Sequence, residues 1–557
     1  LEMRIPFTSL RYGHANPQTW SILLYRNYPR DFRYQMFSAP FDRGVDCFVC
    51  NANKLSGLVD LPSGGHLVAA PFATAGTDWR PEGELGTPLE RGSTDSDFGV
   101  DLKWTPTANL AIDAGVNPDF SQIESDAPQI SANERFALFF PERRPFFLEG
   151  LDLYQTPIQA VYTRTITSPD WGVRATGRYG STSYTALVAE DEGGGSVIIP
   201  GPQGSELAPL DDPSKVGIAR FRRDFGGAAV SFLATAREID GGAYNRVYGP
   251  DFRWRKGGDT VTGQLLWSES ETPNDPASGI AEWDGRRLSS HAAQLEWNHS
   301  RRNYDVYAFV KELGDEFRAD LGFLPQVGYR EALTQYRRTF YPKSGFFRSV
   351  RGKLASRRAE DNDRNLLLQR VVPGIQFDGR FNSFGSFDYK FEKVRAGSQI
   401  FDRQYVEYYT EFSPGRKFGQ ISLEGFLGDD VDFVGERPGK GGSLELSSNV
   451  RPTEHLDLGL SLNRRWLDVD AWHGRRGGEL FTAEVARLRA TYTFNARLFL
   501  RYIGELSTFD PGAASDDTTS FEDFASSVLV AYKLNWQTVL FVGFADQRTQ
   551  LAVTGRL

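Results

Sequence analysis

The densest set of residues able to do chemistry lies between Asn117 and Gly150, in NPDFSQIESDAPQISANERFALFFPERRPFFLEG. Asp119, Glu124, Asp126, Glu134, Glu142 and Glu149 offer carboxylates there, and Arg135, Arg143 and Arg144 offer guanidinium groups. Three chemistries suit such a mixture. Paired carboxylates held about 5–10 Å apart on a rigid scaffold hydrolyse glycosides, but no spacing here selects a pair. Asp119, Glu124 and Asp126 could present oxygen ligands to calcium, although their spacing fits no loop of the D-x-[DN]-x-[DN]-G kind.

The third chemistry is architectural. Arg135, Glu142, Arg143, Arg144 and Glu149 suit ion pairs to a charged wall, while Phe136, Phe139, Phe140, Phe146 and Phe147 would form a small apolar core. Pro128, Pro141 and Pro145 restrict the backbone, which lowers the cost of ordering an irregular segment. The stretch is therefore expected to be an insert, structural first and ligand-contacting second. A ligand held by Arg143 and Arg144 would be anionic or a sugar, because the guanidinium fork presents several donors at once.

Elsewhere reactive groups are sparse. Cys47 and Cys50 form CFVC, expected as a local disulfide or two reduced thiols, since two thiolates alone make a poor zinc site. Six scattered histidines assemble no Ser-His-Asp set, and no Gly-rich phosphate loop opens a helix. GDDVD, at 428–432, is expected to be a solvated outer loop. No catalytic residue is assigned, and no cofactor is expected beyond that calcium set.

The elements that must position the stretch alternate with period two. In HLDLGLSLNRR, Leu456, Leu458, Leu460 and Leu462 alternate with Asp457, Gly459, Ser461 and Asn463, a pattern that a strand produces and a helix cannot. The pattern recurs around Ser386–Val394, Tyr405–Phe412, Ser443–Val450, Arg487–Phe494, Ala496–Ile503 and Thr538–Gln547. No apolar run approaches the roughly 18 residues of a membrane helix. A β-barrel stays open, because its strands carry apolar side chains only at every second position.

From about residue 180 onward, tight turns such as Gly226–Gly227 and Gly257–Gly258 alternate with long acidic loops such as SESETPNDPASGIAEWDGRR. Outer-membrane barrels show that asymmetry. The 557 residues carry a net charge of −9, which argues against a nucleic-acid partner. Residues LEMRIPFTSLRY show no basic stretch followed by an apolar one, so no signal peptide is visible in them, and the chain is expected to start mid-pattern, as a longer precursor that has lost its beginning would.

Those first residues also resemble the last strand of a family 9 carbohydrate-binding module. FGVDLKWTPTANLAIDAGVNPDFSQIESDAPQ and ERFALFFPERRPFFLEGLDLY, within Phe98–Tyr154, resemble the bacterial family termed domain of unknown function 5916. The resemblance implies an outer-membrane barrel that usually follows such a module, and it implies no reaction. Where the family often has a serine-arginine-arginine run, this chain has YTRTI at Tyr162–Ile166, so no role is carried over.

The expectation is an all-β protein: an antiparallel transmembrane barrel of about 24–26 strands over residues 63–557. Residues 1–62 would be the remnant of a periplasmic module with its linker. The stretch 117–154 would fill the lumen or its periplasmic mouth as a plug. Function would be passage or docking of a polar substrate, carbohydrate or peptide, at the cell outer membrane. The alternatives are an anchor for an envelope protein partner and an exported carbohydrate-active hydrolase.

Overall fold

A computed structural model describes residues 3, 5, 7, 10, 12, 15–29, 33–40, 51–61, 65–83, 86–118, 124–415, 417–535 and 538–553. Cys47 and Cys50 lie outside the described residues, as does Asp119. The protein is all-β, and no helix among the described residues is long and apolar enough to cross a membrane. Near the start, Gln18–Ile22 pairs with Asn53–Leu58, and Tyr25–Pro29 pairs with Arg33–Phe37.

One large sheet dominates. Among the described residues twenty-three strands follow one another from His66–Pro81 to Val539–Val553, and their neighbour order closes into a ring. Each of these neighbours with a residue register is antiparallel, including Thr182–Asp191 against Ser214–Phe225 across an intervening hairpin. An odd number then makes the join of Val539–Val553 to His66–Pro81 a parallel one. The ring holds one strand fewer than the lower end of the expected range. The shortfall falls between Val116 and Pro169, where the described residues hold no strand.

Length and turn chemistry explain the ladder. Turns at Gly180, Gly226 and Gly257 have φ between +59° and +67°, which suits the mirror-image turns of two-residue hairpins. These tight turns mark one edge of the sheet. The hairpin Ser196–Pro200 with Ser205–Pro209 and the connections 272–286 and 314–328 mark the other. Strands overrun the loops expected from composition. GDDVD is not a solvated loop but the end of Phe418–Asp432, with Asp430 and Asp432 buried against Arg403, Arg465 and Arg437. Acidic composition suggested solvent, whereas partners on neighbouring strands supply the compensating charge.

The polarity of the sheet is inverted relative to a water-soluble protein. In Ala228–Ile239, Ser231, Thr235 and Arg237 are buried while Phe232 is 47% exposed. In Asp259–Glu271, Gln264, Ser268 and Ser270 are buried while Trp267 is exposed. Arg174 and Arg237 are among the largest fully buried side chains of the described residues. Toward the tight-turn edge the exposed face carries Phe225, Trp254, Trp297, Phe340, Phe412 and Tyr492.

Candidate functional site

The irregular segment leaves the sheet at Val116 and rejoins it at Pro169, running fourteen residues past the expected limit at Tyr154. Asn117, at φ +47°, turns the chain out, and its N–H donates to the Asp170 carbonyl at 2.6 Å. Both ends sit on the long-connection edge, not on the tight-turn edge as expected of a periplasmic mouth. Two helical turns, Pro145–Leu148 and Leu151–Tyr154, flank Gly150, whose φ of +71° reverses the chain between them. Proline at the first helical position has no N–H to leave unsatisfied.

A buried knot fixes the segment's own shape. Arg144 Nε and Nη2 donate to the two Glu142 oxygens at 2.9 and 2.7 Å, and Nη1 and Nη2 also reach the Ile166 and Thr163 carbonyls. The Thr163 hydroxyl donates to Glu142 at 2.7 Å, and the guanidinium lies 4.3 Å from the Phe147 ring. Burial pushes the Glu142 carboxyl up, but the hydrogen bonds and charge of Arg144 outweigh it and hold Glu142 below its ordinary value. Arg144 is thus consumed within the protein.

The wall receives the rest. Glu149 pairs with Lys103 and faces Arg174 at 3.8 Å, and Arg174 also meets Asp113. Arg220 and Arg237 donate to the Gln155 and Thr165 carbonyls, and Gln264 accepts from the Ile158 N–H at 2.8 Å. At the opposite side of the sheet order, Arg135 donates to the Arg395 carbonyl, and Asn133 exchanges hydrogen bonds with Val431 and Phe433. Glu124 receives Arg487 at 2.8 Å, with Arg489 at 3.3 Å and Arg501 at 3.6 Å.

Arg143 donates to the Glu124 and Ser125 carbonyls and faces Asp126 at 3.5 Å, while Arg164 also pairs with Asp126. Glu124 and Asp126, expected as calcium ligands, are therefore taken up by arginines. Among the described residues no three His, Cys, Asp or Glu converge as a metal site.

The aromatic residues divide. Phe147 is buried, with Phe146 edge-on at 5.1 Å. Phe139 is half exposed and packs on Phe323 and Tyr162, and Phe140 exchanges backbone hydrogen bonds with the Tyr162 hydroxyl. Missed by sequence reasoning was the connection 314–328, whose Phe317, Leu321, Leu324 and Val327 share a core with Ile158, Val161 and Ile166. Its signal was the apolar run FLPQV inside a loop. YTRTI was missed as well, though Thr163 and Arg164 answer Glu142 and Asp126.

Beside the segment remains a cavity of about 680 Å³. Asp126, Glu134, Phe140 and Arg143 line it from the segment; Asp388, Glu407, Tyr408, Glu424, Phe426 and Glu445 line it from the strands.

Among solved structures the chain is similar to the FrpB iron transporter from Neisseria meningitidis (F3-3 variant), at 10% identity over 68% of this chain and 79% of that chain, with a TM-score of 0.39. No curated protein matches the chain. Residues 67–175 match the family model described as Domain of unknown function (DUF5916), which upholds the resemblance drawn from the sequence.

Proposed function

We propose that this chain is an outer-membrane β-barrel whose bore is occupied by residues 124–168, strapped by 314–328, and that this plug governs passage of a polar solute of the carbohydrate or peptide class. The observation that carries the reading is the inverted polarity of the ring. A face bearing Phe232 and Trp267 suits hydrocarbon, and a face bearing buried Arg174, Arg237 and Asp430 suits a wet, occupied interior. Contacts of one segment with strands as far apart in the ring as Leu89–Thr107, Asp259–Glu271 and Gly478–Thr493 fit a plug that crosses the bore. Tight turns would face the periplasm, so the plug hangs from the outer edge.

The test is single-channel conductance in planar bilayers, intact and without 118–168. Val116 and Trp171 are direct cross-strand partners, so Asn117, Pro169 and Asp170 can bridge the deletion. A closed intact protein and a large stable pore in the deletion are expected. Silence from both, with the barrel folded by heat-modifiable gel migration, would overturn plugged transport and favour an anchor for an envelope partner.

A further inference from the structure

The charge left uncompensated in the cavity points to a ligand class, an inference that rests on the plugged-barrel reading. The arginines at its edge are engaged: Arg143 by the Glu124 and Ser125 carbonyls and Asp126, Arg464 by Glu484 at 3.3 Å, and Arg465 by Asp430. Two of its carboxylates are answered as well, Asp388 by Lys353 and Glu407 by Lys390. Glu424 and Glu445 have no cationic side chain within ion-pairing distance among the described residues, and Glu134 has none either, though Arg465, Arg135 and Arg403 oppose its charge from further off.

Glu424 and Glu445 are also direct cross-strand partners. Like charges directly opposite destabilise a sheet, and a bound cation reverses that sign. A second observation is independent of the pair. Asp388 is 8% exposed, and while one carboxylate oxygen takes Lys353, the other has no hydrogen-bond partner. A buried acceptor left over in this way needs a donor. The amide oxygen of Asn463, also on the lining, is in the same condition.

We propose that this cavity binds a cationic organic group, a guanidinium or alkylammonium such as a basic peptide presents. A guanidinium fork can answer both members of the Glu424–Glu445 pair at once. Phe140, Tyr408, Tyr409 and Phe426 give the cavity aromatic walls, on which such a cation is held further. A neutral sugar would leave the opposed charges as they are.

The experiment is calorimetric titration of the folded full chain in detergent with triarginine amide, using maltotriose and calcium as comparison probes. Saturable binding of the tripeptide is expected, at least tenfold weaker in the E424Q/E445Q double variant and about threefold weaker in E134Q, which alters the segment and leaves the strands alone. Heat-modifiable migration reports folding in each case. A folded chain that ignores the tripeptide, binds it equally after these substitutions, or prefers maltotriose or calcium overturns the proposal while leaving the barrel reading intact. A chain that forms no heat-modifiable barrel overturns both.

Discussion

Glu142 and Arg144 are two residues apart, yet their pairing depends on carbonyls and a hydroxyl some twenty residues further on. Removing one partner from a buried pair leaves an uncompensated charge and costs about 3–5 kcal/mol. E142Q is therefore expected to make 117–168 sensitive to limited proteolysis while the strands stay protected. Because the Glu142 value is depressed, its stabilisation is present above the ordinary carboxylate range and is lost as pH falls from there through the lower folded value.

Asp320, in the strap, behaves with the opposite sign. Burial lifts its carboxyl to about 6, against the pull of Arg237 and Arg318. Its protonated form is favoured in the fold, so its contribution is full below about pH 4, the unfolded value, and declines as pH rises toward 6. Protease protection of the segment, followed from pH 3 to 8, should lose that decline in D320N.

At the scale of elements, alternation was legible and irregularity was not. Leu456 to Leu462 announced a strand because period two is a property of residues next to one another. The strand Ala228–Ile239 carries apolar residues on both faces over AAVSFLA, and the inward Leu233 there shares a core with Ile158 and Val161 of the segment. An inward leucine in a polar bore marks where something must cover it, a signal that needs the register to be known. The same limit hid the strap 314–328, whose Leu321 is 1% exposed. L321A should cost about 2–5 kcal/mol through lost burial and a residual cavity, and release the segment to protease much as E142Q does. Arg143 and Arg144 drew attention by type as ligand donors, and their partners inside the chain became visible only in three dimensions.

At the scale of the whole molecule, the exposed and buried faces predict opposite tolerances. Phe232 and Ser231 are adjacent in one strand and point to opposite sides. F232R places a charge where hydrocarbon is expected and should cost about 2–4 kcal/mol in folding into lipid vesicles. If F232R inserted as well as the parent chain, the outer-membrane reading would lose its main support.

Glu124 and its hydrogen-bonded partner Arg487 are 363 residues apart. The segment is made first, and its Arg487 anchor leaves the ribosome 363 residues after Glu124. Closing so long a loop is slow and comes late in folding. A chain cut short before Gly478–Thr493 can therefore seat Arg135 on Arg395 and Asn133 on Val431, yet leaves Glu124 without Arg487.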